Sequence, residues 1–338
     1  MSIGHNQSPA LVADIGGTNA RFGVLYPGER RPCHIRKLSV NDYGSIDAAI
    51  QDYLAQVGDE VVPAEACLAI ASPVHQDRVA VTNSPWSFSK ERLQRSLGLQ
   101  RLVVINDYAA QAYGIPSLEM DALFQIGGGE GVARQPLAVL GPGTGFGVGA
   151  LVRPDPDAVV VVSEGGHVDF APANELEIEV LRYLWRQHEH VSVERLLSGA
   201  GLTNLHQAIA SVRGLQAEVL VPEQISSQAL EHNDPLCLEV LGCFCAVLGA
   251  VAGNAALMLG ARGGIFITSG IIPPMAKFLA DSDFRRRFEA KGRFRDYVAA
   301  IPTYVVVAEQ AGLIGAATLL RTSDNLRGCD GPEGRYGH

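Results

Sequence analysis

The chain has no excess of positive charge: 27 lysines and arginines stand against 36 acidic residues, a formal net charge of −9. A nucleic-acid backbone is held by basic patches, so this balance argues against nucleic acid as the main partner. No cysteine pair has metal-binding spacing. The six cysteines, at 33, 67, 237, 243, 245 and 329, are scattered, and 338 residues can bury a core without a disulfide frame. Reduced thiols and a cytoplasmic location are the resulting expectations. Residues 1–9 hold no apolar core, so they read as a disordered tail and not as a signal peptide. Long apolar runs are missing too, apart from Val240–Ala261, where only Asn254 is strongly polar. That run stands alone and carries Gly249 and Gly253 as a GxxxG pair. It reads as a buried core helix at a lobe or subunit interface, with no membrane span. What remains, 47% hydrophobic and 19% charged, is an ordered globular chain of two-domain length.

The organising stretch is Leu11–Leu25. Leu11-Val12-Ala13 is an apolar strand run with Asp14 at its end, Gly16-Gly17-Thr18-Asn19 is a turn without bulk at its tip, and Phe22–Leu25 leads away. A hairpin with backbone N–H groups facing outward at Gly16–Thr18 would bind an anion. Asp14 would repel a bare phosphate, so its presence implies a bridging divalent cation. The pattern returns at Leu137–Leu151. With Gly17-Thr18 set on Gly143-Thr144, a shift of 126 residues (144 − 18), Gly23 falls on Gly149 and Leu25 on Leu151. Two such hairpins imply a duplicated fold with a phosphate turn in each half.

Between and beyond them, Ser45–Val57 has a helical apolar face, Ala66–Ile70 is a strand, and Ser89 is positioned to cap a short helix. Leu102–Ile105 is apolar on both faces and reads as a central strand. It runs into Asn106-Asp107 at the start of a helix, where Asp107 is either a ligand group or a helix cap. Glu164 and His167 flank paired glycines, and Val191–Gly199 reads as a helix start with a glycine stop. Tyr304–Val307 is a last strand and Ala311–Leu320 a closing helix of small apolar residues.

The ordered set LVADIGGTNARFGVL, ASPV, TNSPWSFS, VINDYAA, GPGTGFGVG, EGGHVDFAP, ERLLSGAGL, GGIFITSGIIP and KGRF resembles the bacterial glucokinase family over about residues 10–320. Val168–Pro172 after the EGGH stretch carries no cysteine cluster, unlike the related repressor-and-kinase group of sugar kinases. The resemblance implies an α/β, two-lobed actin-like ATPase (ribonuclease H-like) fold with duplicated mixed sheets. Its lobes are expected at 10–117 plus 306–325 and at 118–305, with a flexible tail at 326–338. It implies ATP-dependent phosphorylation of glucose at the 6-hydroxyl. Carried over by motif, Asn106, Asp107, Glu164, His167 and Glu194 are sugar contacts and Asp107 is the catalytic base. The nucleotide side is Ala13, Asp14, Ile15, Gly16, Gly17, Thr18, Gly143, Thr144, Gly145 and Gly270. Asp14 is expected to hold Mg2+ through water, and a homodimer is expected. Carboxylates, an amide and an imidazole suit a ring of hydroxyls, each both donor and acceptor.

Two other classes fit worse. Gly145–Ala150 formally matches GxGxxA of a dinucleotide site, but Leu151–Pro156 continues a strand and then breaks, where a dinucleotide loop must open a helix. A sugar-sensing repressor needs a basic DNA-binding helix-turn-helix, for which residues 1–9 have no room.

Overall fold

A computed structural model describes residues 8–58, 60–153, 158–308 and 310–327. Residues 1–7 and 328–338, most of the two expected tails, lie outside them. The chain forms two compact units. The first holds the described residues to Leu118, those from 158 to 160 and those from 310 on; the second holds Glu119–Arg153 and Val161–Ala308.

The first unit contains β1 (Ala10–Ile15), β2 (Asn19–Leu25), β3 (Cys33–Ser39), α1 (Ile46–Val57), β4 (Glu65–Ile70), β5 (Arg78–Ala80), β6 (Ser87–Ser89), α2 (Lys90–Ser96), β7 (Arg101–Asn106) and α3 (Asp107–Gly114). Ser45 and Ser89 cap α1 and α2, accepting the Ala48 and Arg92 N–H groups. The sheet runs β3-β2-β1-β4-β7, with β1, β4 and β7 parallel. Their register sets Ile15 beside Ile70 and Ile70 beside Asn106, so three carboxyl ends finish level. β7 is therefore an edge strand, not the expected central one. Its apolar residues on both faces have another cause: Leu102 and Val104 pack on one core, Val103 and Ile105 on another across the sheet.

The second unit contains β8 (Leu123–Gly127), β9 (Leu137–Pro142), β10 (Phe146–Arg153), β11 (Val159–Ser163), α4 (Glu175–Trp185), α5 (Gly199–Val212), α6 (Pro222–Leu230), α7 (Pro235–Leu259), β12 (Gly264–Thr268), α8 (Ala276–Asp281), α9 (Phe284–Glu289), α10 (Arg295–Ala299) and β13 (Thr303–Val306). β11 begins at the boundary between the units. The sheet order is β11-β10-β9-β12-β13-β8. The antiparallel hairpin followed by parallel strands repeats the first sheet, as expected of duplicated mixed sheets. The repeat is not uniform in register. Ala10 pairs with Leu25 and Leu137 with Leu151, an offset of 127 before the turn (137 − 10) and 126 after it (151 − 25). The second turn is one residue shorter. β10 runs through the GxGxxA match as strand, which removes a dinucleotide loop.

The chain closes in the first unit with α11 (Ala311–Arg327), which runs past the expected end near Leu320 because no glycine or proline follows Leu320 until Gly328. Its Leu313, Ala316, Ala317 and Leu320 cover Val12 and Cys67 of the sheet. Gly199 opens α5 instead of stopping a helix: Ser198 takes the Gly201 N–H at 3.0 Å as N-cap.

α7 is the one helix among the described residues long and apolar enough to cross a membrane, and most of it is buried within the protein. The small residues of its GxxxG pair are matched inside the unit. A Cβ at Gly249 would overlap the Phe284 carbonyl of α9, and one at Gly253 the Phe288 carbonyl. That face of α7 is thus taken by α9, and the helix no longer argues for a subunit interface there. A buried bidentate ion pair, Arg287 of α9 with Glu177 of α4, at 2.5 and 3.1 Å, fixes the same region. Gly242, on the same helix, has open space at its Cβ position. Gly242→Ala should raise the melting temperature, because helix propensity favours Ala by about 1 kcal/mol. Gly249→Ala should lower it, because overlap with a backbone carbonyl costs about 1–3 kcal/mol and outweighs that gain. Shifts of the same sign in thermal denaturation would count against the α7–α9 contact.

Candidate active site

The expected residues assemble as two groups, one within each unit. In the first, β1 delivers Asp14 and the Gly16–Thr18 turn. Ala13 and Ile15 are fully buried, so only their backbone could meet a ligand. The Gly16 N–H is turned inward onto Asn19 O at 3.0 Å, while the Gly17 and Thr18 N–H groups have no acceptor among the described residues. The outward amides are therefore fewer than the sequence implied. Asp14 lies directly across from Arg21 on β2 and beneath the first turn of α11: a Cβ at Gly312 would sit 2.9 Å from its carboxyl carbon. Desolvation raises its pKa above the ordinary carboxylate range, and the Arg21 charge opposes this only in part. A carboxylate held so is one that a cation would restore to its charged form. Among the described residues no three His, Cys, Asp or Glu side chains cluster to hold a metal.

At the end of β7, Asn106 is the N-cap of α3, accepting the Tyr108 N–H at 3.0 Å and the Ala109 N–H at 3.4 Å. The cap reading offered for Asp107 therefore belongs to its neighbour. Asp107 is the first residue of α3, half-buried, with Oδ1 3.0 Å from the Tyr108 N–H. It begins the helix beside the carboxyl ends of β1 and β4. Acidic charge suits that first turn, where helix N–H groups face outward.

In the second unit the Gly143–Gly145 turn is braced from three segments. Gly199, at the start of α5, donates its N–H to Gly143 O at 2.9 Å. Ser269, just past β12, donates its hydroxyl to Pro142 O. Glu194 accepts the Phe146 N–H on Oε2 at 2.8 Å, and a Cβ on Gly145 would overlap that oxygen. The Gly143 N–H closes the turn onto Gly145 O at 2.7 Å, leaving the Thr144 and Gly145 N–H groups without an acceptor among the described residues. Nothing lies within 4 Å of a Cβ at Gly143 or Gly270, so both border open space. Gly166 packs so closely on Phe146 that a Cβ would overlap its carbonyl oxygen. This seats Glu164 and His167, both exposed, along the strand that Glu194 touches. The His167 N–H bonds to Glu164 O at 2.9 Å, and Val193 N–H to Val168 O at 2.9 Å. The second group is thus Gly143–Gly145, Glu164, His167, Glu194 and Gly270. Sequence reasoning missed Ser269 and Gly312, small residues whose partners Pro142 and Asp14 lie far along the chain, and Ser198, whose partners Glu194 and Gly201 are local.

A glycine-turn hairpin at the head of each mixed sheet, with carboxylates, an amide and an imidazole at the strand ends, defines a sugar kinase of the actin-like ATPase class. The glucokinase family model matches residues 11–323. A glucokinase of Hahella chejuensis is 45% identical over 315 residues, covering 93% of this chain and 98% of the relative. A crystal structure of a glucokinase from an Antarctic psychrotroph superposes with a TM-score of 0.84 at 38% identity, covering 93% and 99%. One from Balamuthia mandrillaris in complex with glucose shares the fold, with a TM-score of 0.77 at 20% identity, covering 93% and 94%. The chain belongs to the glucokinase family, whose reaction is ATP-dependent phosphorylation of glucose.

Because burial raises the Asp14 pKa, ionising this carboxyl opposes folding, and stability is lost as pH rises from the ordinary carboxylate range toward the raised value. Asp14→Asn should leave the ligand-free melting temperature at pH 7.5 unchanged or higher. The stabilisation that the wild type gains on adding ATP with Mg2+ should be lost. A variant that melts lower without ligand and keeps the full ligand-induced shift would make Asp14 structural.

Proposed function

We propose that this glucokinase binds its sugar through Asn106, Asp107, Glu164, His167 and Glu194, and that Asp107 is the general base for transfer to the 6-hydroxyl. The observation that carries this reading is the division of labour at the head of α3. Asn106 caps the helix through its side-chain oxygen, so the Asp107 carboxylate is not needed to cap the helix. In the reaction the hydroxyl oxygen forms a bond to the γ-phosphorus as the bond from that phosphorus to the β–γ bridging oxygen breaks. The hydroxyl proton passes to Asp107, and ADP leaves with the electrons of the broken bond.

On the nucleotide side the Gly16–Thr18 and Gly143–Gly145 turns would supply amides to the phosphates, with Gly270 lining open space for the adenosine end. Asp14 would hold Mg2+ through water, and the ion would neutralise charge developing on the phosphates. Gly270 has support from the Ser269 hydroxyl, which fixes its loop by accepting the Ile271 N–H at 2.9 Å. The working lobes are 10–117 with 306–325, and 118–305. A cytoplasmic homodimer is the working state; it rests on the family resemblance and on thiols that are all free among the described residues.

Asp107→Asn keeps the shape and can still accept the Tyr108 N–H through its amide oxygen, but cannot take a proton. Turnover should fall on the order of 10²–10⁴-fold, while glucose affinity and melting temperature change little. Steady-state assay of ADP release, calorimetric glucose titration and thermal denaturation check the three parts. Near-wild-type turnover would send the search for the base to Glu164 or Glu194.

A further inference from the structure

Ser72 sits two residues beyond the end of β4 and is 5% exposed. Its backbone is tied to the sheet: Ser72 N–H bonds to Ile70 O at 2.8 Å and Ala71 N–H to Ile15 O at 3.1 Å. Its hydroxyl lies 2.7 Å from Ala80 O, 2.6 Å from Ala71 O and 2.9 Å from Thr82 Oγ1, and it accepts the Thr82 N–H at 2.8 Å. One buried hydroxyl thus gathers the chain from Ala80 to Thr82 onto the end of β4. The far side of the same turn is closed by the Val81 N–H on Trp86 O at 2.9 Å. Trp86 is itself buried, with its indole N–H on Tyr43 O at 3.0 Å. Between these anchors Asn83 is held at φ 57°, a left-handed conformation asparagine adopts more readily than most residues.

The clamped turn lies against Gly17. A Cβ there would lie 2.9 Å from Thr82 O and 3.0 Å from Asn83 O, so the two carbonyls rest on the bare Cα. We infer that Ser72 is a positioning residue for nucleotide binding: by holding Thr82 and Asn83 against Gly17 it fixes the Gly16–Thr18 turn. The inference rests on the reading of that turn as a phosphate cradle. Ser72 itself meets no substrate. Amides help an anion only if they already point at it, since reorienting them on binding removes most of the benefit. Removing the hydroxyl leaves the Thr82 N–H and Ala80 carbonyl without this partner in a buried place, and the turn must move to satisfy them. Asn106, at the end of the neighbouring strand β7, is not part of this network: its side-chain oxygen bonds to the Tyr108 and Ala109 N–H groups.

The test uses Ser72→Ala and Gly17→Ala in the full chain, with the non-hydrolysable analogue AMP-PNP and Mg2+ in calorimetry and ATP in steady state. Ser72→Ala should weaken nucleotide binding about tenfold, the size of one lost buried hydrogen bond. KM for ATP should rise in parallel and KM for glucose should stay within about twofold, since uniform ATP binding alone is lost. Gly17→Ala strikes the same contact from the other side and should act in the same direction. The double variant should fall short of the product of the two effects, because both break one contact. Unchanged AMP-PNP affinity in Ser72→Ala, or equal rises in both KM values, overturns the proposal. If Ser72→Ala does not fold, unchanged affinity in Gly17→Ala overturns it alone. A wild type that binds no AMP-PNP would instead sink the phosphate-cradle reading on which the inference rests.

Discussion

One hydrogen bond constrains the second unit more than any other: the Phe146 N–H to Glu194 Oε2. Phe146 is the first residue after the glycine turn, and Glu194 comes from a short 3-10 segment far along the chain. A carboxylate has two oxygens and about four acceptor sites. With one oxygen committed to the turn, the other is left for the sugar contact proposed for Glu194. The side chain therefore cannot swing freely toward a sugar, because leaving Phe146 would strand a backbone donor. The absence of a Cβ on Gly145 is what lets the carboxylate approach. The Glu164–His167 segment is then seated by Gly166 against the same Phe146. The proposed sugar contacts Glu164, His167 and Glu194 are thus set relative to one backbone unit, the one that follows the glycine turn.

The first unit solves the same problem with parallel strands. Hydrogen-bond register, once set at Ile15, Ile70 and Asn106, brings three chain ends level without side-chain help. The edge position of β7 leaves its carboxyl end uncrowded, and apolar cover on both faces keeps the strand in place. α11 completes the unit from the far end of the chain. Gly315 lies so close to α3 that a Cβ there would overlap the Ala110 carbonyl. The helix that begins at Asp107 is thus backed by the helix that covers Asp14.

Much of this was legible in the sequence because it is local. The hairpins were readable from apolar runs and glycine turns, α1 from its apolar face, α2 from its serine cap, and α7 from its composition. The site residues stood out because their motifs are short and ordered. What escaped reading depends on pairing between distant segments. Whether Leu102–Ile105 is central or edge depends on strand order, which apolar content cannot reveal when two cores cover the faces. Gly199 has the same local signature at either end of a helix, and only Ser198 as cap decides it. The one-residue difference between the two turns was hidden because aligning the Gly-Thr pairs fits the second strands and not the first. The GxxxG pair of α7 was visible, but its partner α9 was not, since the sequence does not say which surface small residues will meet.

The N-cap at Asn106 has a consequence for the direction of hydrogen bonding. Its amide oxygen faces two helix N–H groups, so toward a ligand the side chain presents only donors. A sugar hydroxyl meeting Asn106 is obliged to accept there and to send its own proton elsewhere. A carboxylate such as Asp107, by contrast, can only receive protons from a sugar. In the proposed site two adjacent residues therefore impose opposite polarities on the sugar's edge. Fluorine, an acceptor with no proton, can replace a hydroxyl at the first and not at the second, which makes deoxyfluoro sugars a reporter of which hydroxyl faces which residue.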